Sequence, residues 1–367
     1  MSLQSLLASW YERPFSEKKI SFDAALGARS FSMDALQTLL SRDAATHLEE
    51  MAQEAKKRTE QHFGKAVTLF TPLYVSNYCT NGCRYCAFQR DNHIRRRQLS
   101  PEEIERAGDE IAATGMRHLL VLTGEAPRIT TFAYLEKCLS ILAPRFSSLS
   151  LEVYPMKEHE YARLVEQVQL EGVTVYQETY NRSVYAAMHP FGEKREYDWR
   201  LETVDRAARA GVRSVTVGSL LGLDEPRTEL GALALHLDYI TKTYPGVAPV
   251  VSFPRLRPIA GSSFPVPYPV DDAFFVQIVL AFRILFPHVG ITMSTREERH
   301  IRNGLVPLGV TKMSAGVSTA VEAGEETTEG QFEIADDRSL DAVCVWLQKE
   351  GFQPVLHDWN RCFTTDK

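Results

Sequence analysis

The spacing of apolar positions changes character near residue 66. Beyond it, short β-branched and apolar runs recur at Thr68–Ser76, His118–Thr123, Ser148–Tyr154, Val173–Thr179, Ser214–Gly218, Pro249–Phe253, Gly290–Ser294 and Val310–Ser314. Runs of this length and composition predict eight strands. Between them, amphipathic stretches at 3–4 residue spacing predict helices over Pro101–Thr114, Thr131–Leu142, Glu158–Glu171, Glu196–Ala210, Thr228–Thr243, Asp271–Phe286 and Arg296–Asn303. Gly115, Gly172 and Gly211 read as helix stops. Strands that alternate with helices predict a parallel sheet, because parallel neighbours need crossovers. Eight such units predict a closed (β/α)8 TIM-type barrel over residues 66–320. An open doubly wound sheet is the competing arrangement, but no G-x-G-x-x-G follows the first strand and no Walker A loop is present.

Residues 1–65 read as an N-terminal helical extension, with Ser32 capping a short helix and Asp43 a longer one that stops at Gly64. This extension is expected to pack on the barrel and cover its mouth. Residues 321–367 read as a C-terminal extension packing on the barrel, with one helix over Ser339–Glu350.

Composition narrows the function classes. The 41 basic and 47 acidic residues give a formal charge of −6, which offers no general attraction to nucleic acid or anionic lipid. No stretch of 18 apolar residues predicts a membrane span. The first residues lack the basic-then-apolar pattern of a signal peptide, so a cytoplasmic protein is expected. Six cysteines are too few for a disulfide scaffold. Cys138, Cys344 and Cys362 are scattered and read as small apolar residues, with no C-x2-C between the last two to hold a second cluster.

Cys79, Cys83 and Cys86 are different. They form C-x3-C-x2-C in the loop after the first strand, where a barrel places its chemistry. Three thiolates in one loop suit an iron–sulfur cluster, and three ligands for four irons leave one iron open to an exogenous ligand. A structural zinc site completed by His93 is the alternative, although zinc more often takes ligands in two pairs.

With Tyr85 before the last cysteine, this loop resembles that of the radical S-adenosylmethionine (SAM) enzymes. The resemblance implies one 4Fe–4S cluster on Cys79, Cys83 and Cys86, with SAM on the fourth iron and Tyr85 packed against its adenine. Thr123-Gly124-Glu125 resembles the family's G-G-E motif, which holds the SAM ammonium; the first glycine is replaced by Thr123. By the same resemblance Glu178 falls near the SAM ribose. Arg200 suits the SAM carboxylate because a guanidinium fork matches two oxygens, and Gly218 would let backbone approach the adenine.

Arg255, Arg257 and Arg296 follow the sixth and seventh strands. SAM needs one carboxylate partner, so further arginines point to an acidic group on a second molecule, such as an amino acid; pairing with Glu152, Glu297 or another acid is the plainer reading. Met188-His189-Pro190, P-R-L-R-P over 254–258, S-T-R-E, K-M-S-A-G and Gln331-Phe332-Glu333-Ile334 extend the resemblance over nearly the whole chain. They are most similar to the aromatic amino acid lyases, in particular those that cleave tyrosine for thiamine thiazole synthesis. That implies hydrogen abstraction from the tyrosine amino group, rupture of Cα–Cβ, and release of p-cresol and 2-iminoacetate, with Arg296 and Ser314 holding the substrate. Tyr74, Tyr180, Glu178 and His189 are candidates for moving a proton to or from the phenol. Alternatives are a related lyase acting on tryptophan or in hydrogenase maturation, and a non-catalytic metal-binding maturation protein. Implied partners are a flavodoxin or ferredoxin as electron donor and a thiazole synthase. The basic run from Arg90 to Arg97 beside the cysteines reads as a landing surface for an acidic donor.

Overall fold

The computed structural model describes residues 2–12, 15, 20–257, 264–322 and 327–357. Eight parallel strands close into a barrel: β1 (Ala66–Ser76), β2 (His118–Thr123), β3 (Ser148–Glu152), β4 (Gly172–Glu178), β5 (Ser214–Ser219), β6 (Ala248–Ser252), β7 (Gly290–Met293) and β8 (Lys312–Ser314). Each pairs with the next, and β1 pairs with both β8 and β2, so no open edge remains among them. The expected strands agree with these to within a few residues, because strands covered on both faces read as near-continuous apolar runs. The doubly wound alternative is excluded. A short ninth strand, β9 (Gln353–Val355), extends along the start of β1 and was not expected from the sequence.

The helices follow local signals. Ser100 caps Pro101–Ala113 in a capping box with Glu103, and Ser32, Thr131, Asp271 and Ser339 cap theirs. Three expectations are corrected. Asp43 makes no cap hydrogen bond; a 3-10 turn at Ala44–His47 precedes the helix Leu48–Phe63. The helix from Glu158 ends at Val168, with Gln169 left-handed (φ 53°), so Gly172 opens β4 instead of stopping the helix. The single helix expected over 196–210 is broken at Glu202 into Tyr197–Leu201 and Thr203–Arg209.

The N-terminal helices pack on the outside of the barrel. In helix Leu3–Tyr11, Trp10 donates its indole N–H to Thr228 O at 2.9 Å and lays its ring on Gly231. Arg58 crosses from helix Leu48–Phe63 to the Ile284 carbonyl on the barrel's outer layer. No described residue of 1–65 lines the mouth. That position is taken by the C-terminal segment: Ala335 N donates to Thr295 O at 2.9 Å and Gln331 N to Thr319 O at 3.0 Å. Cys362 and Pro258 lie outside the described residues. Cys138 is buried, as a small apolar residue should be, while Cys344 is only half-buried.

Candidate functional site

All eight strands point their C-terminal ends at one mouth, and two connected chambers occupy it. The smaller encloses about 560 Å³ and is lined by Cys79, Cys83 and Cys86 together with Thr123, Gly124, Glu125 and Arg200. The larger encloses about 1000 Å³ and is lined by residues including Tyr74, Tyr85, Arg257, Arg296, Ser314 and Phe332. Cys86, Leu122, Glu152, Tyr176, Glu178, Lys194 and Gln331 belong to both and form the boundary.

The cysteine loop is held by the loop after β2. Thr80 donates its N–H and its hydroxyl to Glu125 O, each at 3.0 Å, and Gly124 N donates to Ser76 O at 2.8 Å. A Cβ on Gly124 would stand 2.3 Å from Tyr78 O, so only glycine lets the two loops approach this closely. Burial raises all three thiols, Cys79 to about 11. Among the described residues no three His, Cys, Asp or Glu side chains converge as a cage for a single metal ion. His93 is exposed.

Glu125 is the hub of the smaller chamber. Its carboxylate accepts from Arg200 Nη1 at 2.8 Å and Asn81 Nδ2 at 3.2 Å, with Lys194 Nζ at 3.9 Å. Burial pushes the Glu125 carboxyl up, but Arg200 and Lys194 outweigh it and hold the group below its usual range. Arg200 is itself buried and also donates to Tyr176 O at 2.7 Å. The Thr123 hydroxyl is buried in the same wall with no partner among the described residues.

Glu178 ends β4 in the left-handed region (φ 68°), at a register slip in the pairing with β5. A non-glycine residue held there is strained, and such strain collects at functional sites. Its carboxylate pairs with Lys194 Nζ at 2.7 Å. Lys194 comes from a 3-10 turn, Glu193–Arg195, where no periodicity marks it, and the sequence reading missed it. Gly218 lines neither chamber. A Cβ there would meet Ser252 O at 2.4 Å and the Tyr176 ring at 2.8 Å, so its glycine makes room for Tyr176.

The arginines after β6 and β7 separate by role. Arg255 is tied to Glu297 and to Asp272 (2.7 Å), and Arg257 to Glu297 at 3.1 Å. Arg296 forms no ion pair with any described residue; its guanidinium lies 3.8 Å above the Phe332 ring and faces the larger chamber. The Ser314 hydroxyl accepts from Thr295 N at 3.1 Å nearby.

Tyr85 lines the larger chamber, and its hydroxyl sits 2.7 Å from His189 Nε2. His189 is buried behind it with Nδ1 on Tyr185 O at 2.8 Å, and burial pushes it down to about 3, so the ring is neutral. Of the proton-transfer candidates, Tyr74 and Glu178 face the chambers. Tyr180 points away and meets His236 Nδ1 at 2.8 Å.

Residues 73–237 match the family model "Radical SAM superfamily", and residues 252–353 match "Biotin and Thiamin Synthesis associated domain". Fold and site together define a barrel of the radical SAM class. The chain is 40% identical over 341 residues to 2-iminoacetate synthase of Escherichia coli (strain K12), covering 92% of this chain and 90% of that one. It is 39% identical, at the same coverage, to 2-iminoacetate synthase of Salmonella typhimurium. A crystal structure of the FeFe-hydrogenase maturase HydG from Carboxydothermus hydrogenoformans superposes with a TM-score of 0.87 at 33% identity, covering 97% of this chain and 85% of that one. The chain belongs to the 2-iminoacetate synthase family of radical SAM enzymes, and membership implies a 4Fe–4S cluster and SAM.

Proposed function

We propose that this protein cleaves the Cα–Cβ bond of L-tyrosine, giving 2-iminoacetate and p-cresol while SAM is consumed to methionine and 5′-deoxyadenosine. The observation that carries the reading is the pair of joined chambers, with three cysteines on one side and an unpaired arginine on the other. The bound cluster supplies the electron that breaks SAM into methionine and a 5′-deoxyadenosyl radical.

Cys79, Cys83 and Cys86 would hold the cluster through their thiolates. The three side chains share the smaller chamber. The fit of SAM to the smaller chamber rests on its polar wall: the unpartnered Thr123 hydroxyl and the Glu125–Arg200 pair suit its ammonium and carboxylate. Glu178, on the boundary, presents its carboxylate to the ribose, and Tyr85 meets the adenine from the larger chamber beyond that boundary.

In the larger chamber Arg296 takes the tyrosine carboxylate and Ser314 orients the amine. Loss of a hydrogen atom from that amine and rupture of Cα–Cβ leave 2-iminoacetate and a benzylic fragment. This fragment becomes p-cresol on gaining one electron and one proton. A low-potential flavodoxin or ferredoxin supplies electrons, and a thiazole synthase consumes the imine. Reduced cysteines and the absence, among the described residues, of any helix able to cross a membrane fit a cytoplasmic setting.

The test is an anaerobic incubation of reconstituted protein with SAM, dithionite and tyrosine. Both p-cresol and 5′-deoxyadenosine are expected, with about four irons per chain, and all three are lost in Cys83→Ala. 5′-Deoxyadenosine without p-cresol would move the substrate to tryptophan or another amino acid. Neither product from a four-iron protein would overturn the reading.

A further inference from the structure

The charged groups around the two chambers pair almost completely. Glu178 is matched by Lys194, Glu125 by Arg200, and Arg257 by Glu297. Two groups are left over. One is Arg296. The other is Glu152, which ends β3 opposite Leu122 of β2 and lines both chambers. Its carboxylate makes no hydrogen bond or ion pair with any described residue.

A charge in a confined site without a partner costs free energy, so an unpaired anion facing an unpaired cation across one cavity marks the imprint of a zwitterion. An α-amino acid has that form. Glu152 also stands in the right place: the amine that gives up its hydrogen must lie where the SAM chamber opens into the substrate chamber, and Glu152 is the boundary acid without an internal cation.

We propose that Glu152 is the receptor for the substrate's α-ammonium group and the residue by which the site recognises an amino acid over its deamino counterpart. The proposal rests on the tyrosine reading above and extends it.

The surroundings of Glu152 support this role. Lys194, Arg200 and Arg296 favour its anion; Glu178 and Tyr176 stand close on the neighbouring β4, and Tyr74 on β1. Burial, with the nearby Glu178 charge, raises the carboxyl to about 7. A cation arriving beside it would stabilise the ionised form. Tyrosine should therefore bind more tightly as pH rises through neutrality.

The test uses reconstituted holoprotein with SAM and no reductant, so that binding is read without turnover. Dissociation constants are measured by equilibrium dialysis for L-tyrosine and for 3-(4-hydroxyphenyl)propanoate, which keeps the carboxylate and phenol but lacks the amine. Glu152→Gln is expected to weaken tyrosine by about ten- to a hundredfold, the loss of a charge-assisted hydrogen bond. The deamino analogue should bind as it does to the wild type. Glu152→Asp, which keeps the charge, should restore part of the preference, and the rise of tyrosine affinity with pH should flatten in Glu152→Gln. Equal weakening of both ligands would overturn the proposal, because Glu152 would then shape the cavity or read the phenol. Weakened SAM binding with unchanged tyrosine binding would overturn it in favour of a SAM contact. A wild-type holoprotein that binds SAM but not tyrosine would instead remove the tyrosine reading itself.

Discussion

Single residues in this barrel carry opposite charge states according to what surrounds them. Arg200 and Glu125 remain ionised in a buried chamber because each has the other. His236 has no such partner among the described residues: burial pushes it down to about 4, and its Nε2 is unpartnered there. The unfolded chain takes up this proton near 6.5, whereas the folded chain refuses it until about 4. Stability from this residue is therefore full above 6.5 and falls as pH drops toward 4, by at most about 1.4 kcal/mol per pH unit. His236→Asn keeps a polar partner for Tyr180 and removes the titration. Denaturant unfolding across this range should show a slope shallower by about that amount; an unchanged slope would mean that His236 is already protonated in the fold.

At the scale of elements, the basic run after the cysteine loop divides into structure and surface. Arg96 donates to the carbonyls of Asn77, Phe88, Gln89 and Asn92, pinning the loop that carries the cysteines. Arg97 is paired with Glu103. Arg90 and Arg95 are exposed at the surface beside this loop, Arg90 next to Asp91 and over the Phe191 ring. Arg96→Ala should thus lose iron during gel filtration whatever the reductant. Arg95→Glu should keep its iron and slow turnover driven by flavodoxin but not by dithionite. Equal slowing with both reductants would remove the docking role.

The sequence makes the barrel legible for a physical reason: eight strands buried on both faces leave apolar runs that little else imitates. The cysteines were legible because their ligand chemistry depends on local spacing. Lys194 was not, because its importance comes from facing Glu178 across a turn, a relation that local spacing does not encode. Glu152 was visible only as a possible salt-bridge partner; that it and Arg296 keep no counter-charge among the described residues shows only once the other charges of the chambers are placed. The chamber-lining residues of the 331–332 segment carried a family resemblance, yet no local pattern announced that they roof the site.

For the whole molecule, the main revision concerns which end of the chain closes the mouth. Amphipathicity marks residues 1–65 as helices with one apolar face but does not say what that face meets. Trp10 and Arg58 commit it to the outer helices. The C-terminal segment instead crosses β7 and β8, bringing Gln331 to 2.7 Å from the Tyr74 hydroxyl. The two chambers thus share one boundary, which gives a radical formed in one a direct path to a substrate held in the other.

With Glu152 proposed to hold the substrate amine at that boundary, the amine is the group expected to meet the radical. Amine hydrogens exchange with solvent and carbon-bound hydrogens do not. The decisive measurement is a reaction in D2O with unlabelled tyrosine, followed by mass analysis of the 5′-deoxyadenosine. Deuterium gained from solvent is expected. A product that gains none, and is labelled only when the tyrosine is deuterated on carbon, would contradict the account.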